Sequence, residues 1–109
     1  MSITHDILIA YLESIGALEK CKIRPMGEDK LKVVCPFHDD HDPSGVITLS
    51  TEKFKCNASS CARHTDLATT LAQIATKYSG KVVTRSQVLE ILVRKHGMKP
   101  PGDAPLAAE

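Results

Sequence analysis

The chain has 109 residues, with 14 Lys and Arg against 13 Asp and Glu, so its net charge of +1 gives no global basic field that would announce a polyanion partner. Tyr11, Phe37, Phe54 and Tyr78 are its only aromatic residues, and a domain of this size buries just about 60–70% of the surface its unfolded chain exposes. A core this small and ring-poor calls for a staple, and four cysteines offer either a disulfide or a metal site.

The first segment carries Ile3, Ile7, Leu8, Tyr11, Leu12 and Ile15 at spacings of three and four, one face of an amphipathic helix. Ser2 or Thr4 caps its start and Gly16 stands near its end. Lys22 to Pro25 and Lys30 to Val34 flank a turn through Met26, Gly27 and Glu28, which predicts a hairpin. In its second strand Lys30 and Lys32 alternate with Leu31 and Val33, the period of a half-buried strand. A polar loop from Asp39 to Gly45 leads to a second hairpin, Val46 to Ser50 and Lys53 to Cys56, turning at Thr51-Glu52.

Leu67, Leu71, Ile74, Ala75 and Tyr78 mark a second long helix, with Thr65 as the expected N-cap and Asp66 at the positive end of the dipole. Thr84 and Gln87 have capping-box spacing and open a third helix through Val88, Leu89, Leu92 and Val93, which Gly97 and Pro100 end. Residues 1–99 are therefore expected to form one domain. The Pro-, Ala- and Gly-rich stretch 100–109 reads as a disordered tail or linker stub. The fold class is α+β: a small, zinc ribbon-like antiparallel sheet with one N-terminal and two C-terminal helices.

Cys35-Pro36-Phe37-His38 is a Cys-x2-His pair at the end of a strand, and a tight turn brings both side chains onto one ion. Cys56 and Cys61, with four residues between them, form a second pair after another strand. Two such pairs about twenty residues apart describe a zinc ribbon or knuckle with one structural Zn2+ held by Cys35, His38, Cys56 and Cys61. Sulfur and imidazole donors favour zinc over harder cations. His41 and His64 stand where either can replace a ligand of this set. The plainer alternative, buried apolar cysteines beside a surface histidine, leaves both spacings unexplained. Cys21 has no close partner and reads as a core filler or free thiol in an early strand.

No apolar run is long enough to span a membrane and no secretory leader pattern opens the sequence, so the expected compartment is cytoplasmic. There, close thiols hold metal rather than each other. Asp40, Asp42, Ser44 and Gly45 imitate the start of an EF-hand loop, but Thr51 stands where the bidentate Glu belongs and strands replace the flanking helices. A solvated acidic turn is the better account.

The run Cys35-Pro36-Phe37-His38, then Asp42-Pro43-Ser44, Phe54-x-Cys56, Cys61 and Thr65-Asp66 before an apolar helix resembles the zinc-binding domain of DnaG-type DNA primases, over roughly Ile3 to Met98. The family places an aromatic after Pro-Ser, where Gly45 and Val46 stand here. It also spaces its last cysteines more closely and has Gly-Asp where this chain has Thr65-Asp66. These departures fit a diverged version from a phage or other mobile element. The resemblance implies that the domain binds single-stranded DNA template and supports primer initiation by a separate primase catalytic domain, with that domain or a helicase as protein partner.

Lys30, Lys32, Lys53 and Lys55 alternate on two strands and share a face if the strands pair in register, with Arg63 and His64 extending it. Phe54 is a stacking candidate whose place opposite the lysines also suits the core. An ordinary solvated lysine face is the competing reading of this stripe. No carboxylate cluster suits two-metal phosphoryl transfer and no Gly-rich loop cradles phosphates, so the chain is expected to be non-catalytic. A zinc-stabilised protein-interaction module is the alternative function. A catalytic zinc is disfavoured because four protein ligands close the site.

Overall fold

The structure, a computed structural model, describes residues 3–37, 43–57, 61 and 63–97. The tail expected at 100–109 lies outside the described residues, as do His38, the acidic residues 39, 40 and 42, and His41. Helix α1 (His5–Ser14) and the one-turn α2 (Leu18–Cys21) precede the strands β1 (Arg24–Pro25), β2 (Lys30–Val33), β3 (Gly45–Thr48), β4 (Lys53–Cys56) and β5 (His64–Asp66). Helices α3 (Leu67–Ser79) and α4 (Arg85–His96) follow. The fold is α+β, with one five-stranded antiparallel sheet in the order β1-β2-β3-β4-β5.

Local chemistry accounts for the helix limits. The Thr4 hydroxyl accepts from the Ile7 amide and starts α1. At the other end Gly16, at φ 71°, donates to the Glu13 carbonyl and Ala17 donates to that of Leu12, a Schellman ending. That reversal drops the chain into α2, which the sequence did not announce. Cys21 closes α2 rather than sitting in a strand, and only Arg24 and Pro25 of the expected first strand pair with β2. Thr84 and Gln87 form the expected capping box, and Gly97 ends α4 at φ 71°.

The α3 cap is Asp66 rather than Thr65. Its Oδ1 accepts from the Thr69 amide at 2.8 Å, while Thr65 is held in β5 opposite Phe54. The second Asp66 oxygen takes the Arg85 Nε at 2.9 Å, tying the starts of α3 and α4 together. Thr70, buried and polar, donates to the Asp66 carbonyl and leaves no orphaned group. Glu52, at φ 55°, accepts the Ile3 amide on its carboxylate and the Leu67 amide on its carbonyl, joining the β3–β4 turn to both helical segments.

Alternation then divides the sheet into two faces. Leu31, Val33, Ile47, Phe54 and Cys56 are buried in one cluster with Leu8, Leu12, Leu71, Ile74 and Leu92 from the helices. Helix α3 packs on β4, β5 and α4, and α1 packs on α4. Phe54 therefore belongs to the core, at 1% exposure. The opposite face carries no helix among the described residues.

Candidate metal centre and nucleic-acid interface

Three thiols converge at one end of the sheet. Cys35 lies just past β2, Cys56 is the last residue of β4, and Cys61 sits in the turn before β5. Their Sγ atoms all lie within 4.8 Å of one another, and those of Cys35 and Cys61 are 3.8 Å apart. Tetrahedral Zn–S bonds of about 2.3 Å place neighbouring sulfurs about 3.8 Å apart. A disulfide would need about 2.05 Å, and all four cysteines are unbridged.

Backbone ties hold this geometry. The Cys56 amide donates to the Arg63 carbonyl, and the Asn57 amide donates to that of Ser44, carrying both β ladders past their regular ends. Gln73 of α3 donates to the Pro36 carbonyl and fixes the turn after Cys35. The Phe37 amide points at the Cys35 sulfur from 3.4 Å, and the Ser44 hydroxyl lies 3.6 Å from that of Cys56. Phe37 also packs on Phe54, with ring centroids 5.8 Å apart, so the turn has an apolar backing.

Burial pushes the Cys35 thiol up to about 12; the Phe37 amide works against this, while neighbouring Cys56 and Cys61 add to it. The Cys35 thiol therefore retains its proton unless a cation replaces it. Soft sulfur donors at this spacing fit a soft or borderline metal ion and not calcium or magnesium. The cluster can thus hold a metal ion through Cys35, Cys56 and Cys61. His38 lies outside the described residues, and His64 is not among the clustered donors.

The lysines expected to share a face do so by register. Lys30 pairs with Thr48 and Thr48 with Lys53; Lys32 pairs with Val46 and Val46 with Lys55. Four lysines thus stand at the corners of a rectangle around Val46 and Thr48 on the uncovered face. His64 continues the second row by pairing with Lys55, and Arg24 begins it by pairing with Lys32. Arg24, absent from the sequence reading, becomes visible only once the turn between β1 and β2 sets the pairing.

Against three of the corners, Lys30, Lys53 and Lys55, lies a groove of about 380 Å3 that Met26, Val46, Thr48, Phe54, Asn57 and His64 also line. Arg24, Lys30, Lys32, Lys53, Lys55 and His64 are all exposed, and none makes an ion pair among the described residues. Arg63 behaves differently. Its guanidinium lies 4.5 Å from the centroid of the Phe37 ring, beside the thiol cluster and away from the lysine rows.

No helix among the described residues is long and apolar enough to cross a membrane. Comparison of the chain with protein-family models, with curated proteins and with solved structures finds no match.

Proposed function

We propose that this chain is a zinc-stapled nucleic-acid-recognition module of the DnaG primase type. One structural Zn2+ is held by Cys35, Cys56 and Cys61 with His38 as fourth ligand. The uncovered sheet face grips single-stranded DNA template, and a separate catalytic domain makes the primer; the module contributes no chemistry of its own. The observation that carries this reading is the pairing that gathers Lys30, Lys32, Lys53 and Lys55 on one face, none of them ion-paired among the described residues. The thiol cluster grows from the ends of the same strands, so the metal would fix the sheet that presents those lysines.

Binding of short single-stranded DNA at several salt concentrations tests it. A steep salt dependence that flattens in a Lys53→Ala/Lys55→Ala variant supports the reading, because each lost phosphate contact removes released counterions. Absence of binding at millimolar protein rejects it in favour of a zinc-stabilised protein-interaction module. Exposed Met26 and the net charge of +1 are the observations that favour that second reading.

A further inference from the structure

We infer that the uncovered face follows the phosphodiester backbone of the strand and does not read its bases, with the backbone running across the β-strands along Arg24, Lys32, Lys55 and His64. This rests on the proposed binding of single-stranded DNA and specifies how it occurs. Two rows of side chains cross the face. The first is Arg24–Lys32–Val46–Lys55–His64, basic at four of five positions with no acid. The second runs Lys30–Thr48–Lys53–Asp66 and ends on a carboxylate that already engages Thr69 and Arg85. Charge complementarity therefore places the phosphates on the first row.

The row crosses five strands at about 4.8 Å each, near 19 Å in all. That accommodates about four nucleotides, the low end of site sizes for single-strand-binding folds. Base recognition would need stacking rings or convergent polar groups. The rings of Phe37 and Phe54 pack on each other and Tyr11 is buried, so among the described residues the one exposed ring on either row is the His64 imidazole, at the end of the first. Directly between the lysines stand Val46 and Thr48, which offer one hydroxyl; the Asn57 amide and the His64 imidazole line the same groove but do not converge with it on a stacked base.

The test compares oligo(dT), oligo(dA) and an abasic deoxyribose-phosphate oligomer of equal length on the full, metal-loaded chain. Within the inference all three bind within about threefold of one another, and each has a log–log salt slope near −2, as the three cations Arg24, Lys32 and Lys55 require. Arg24→Ala lowers that slope by about 0.7 for every oligomer. Lys81→Ala, on the α3–α4 connection, leaves it unchanged. Abasic binding more than tenfold weaker than oligo(dT) overturns the inference while leaving DNA binding standing. A slope insensitive to Arg24→Ala, in a variant that keeps its metal and circular dichroism, overturns the backbone path. Failure of all three oligomers to bind removes the underlying reading as well.

Discussion

The ring of Phe54 occupies the space a side chain at residue 45 would need: a Cβ on Gly45 would lie 2.5 Å from Phe54 Cε1 and 3.1 Å from the Val33 carbonyl oxygen. Gly45 faces Cys56 and Val33 on the covered side of the sheet, so its neighbours there are core and backbone. Only the lack of a side chain at Gly45 leaves room for the ring that β4 sends into the core. Gly45→Ala should destabilise the chain by about 1–3 kcal/mol, the usual cost of overpacking. Urea unfolding checks it, and Phe54→Leu in the same chain should reduce the cost. An unaltered midpoint in the single variant would show that the ring moves aside freely.

The thiol cluster makes metal and folding one question. Closed sulfur-rich zinc sites contribute on the order of 10 kcal/mol, comparable with the whole stability of a domain. Native protein should contain one zinc per chain by elemental analysis, and chelator should abolish its helical and sheet circular dichroism. Cys56→Ser should lose the metal and the fold together. His38→Ala keeps all three sulfurs and should weaken binding without abolishing it. Zinc-free protein that unfolds cooperatively at the native temperature would contradict this.

Elements with internal periodicity or a capping pair were legible in the sequence: α1, α3, α4 and both hairpins. What escaped was short or dependent on a distant partner. Helix α2 is a single turn, too brief for a period, and it exists because the Gly16 reversal delivers Leu18 to the core's edge. Strand β5 has three residues and forms by pairing with β4, which also takes Thr65 out of the capping position and passes that role to Asp66. In the site, the spacing of Cys56 and Cys61 is local and readable, whereas the approach of Cys35 to them is set by the sheet, and His38 lies outside the described residues. The lysine rows depend on register, so Arg24 stayed hidden, and Arg63 was drawn to Phe37 by a contact no spacing announces.

Cys21 should behave unlike the clustered cysteines. It is fully buried, and desolvation pushes its thiol up to about 11 despite the opposing charge of Lys77. A buried, protonated thiol is inert. In native protein at mildly alkaline pH, alkylating reagent should leave Cys21 unlabelled by peptide mass analysis, and unfolding in urea should expose it. Cys21→Ala should leave the zinc content unchanged. Loss of metal in that variant would make Cys21 a ligand or a support of one.

Asp66 predicts a pH dependence of known sign. Burial acts to raise its pKa, but hydrogen bonds from Thr69 and the Arg85 guanidinium outweigh this and hold the carboxyl below the ordinary carboxylate value. A carboxylate depressed in the folded state adds stability that is complete above its unfolded pKa and is lost as pH falls through the folded one. Asn at this position keeps an N-cap acceptor but no charge. The stability gap between native protein and Asp66→Asn should therefore be constant above about pH 5 and close below about pH 4. Taking the difference between the two proteins cancels any acid release of metal common to both. Removing the cap outright, as in Asp66→Ala, should cost about 1–2 kcal/mol at neutral pH. Arg85→Ala should cost no more than about 1 kcal/mol, since its side chain is 45% exposed. Parallel urea titrations of the four proteins between pH 3 and 7 measure all of this, and a gap that widens on acidification would reverse the assignment of Asp66 as a charged cap.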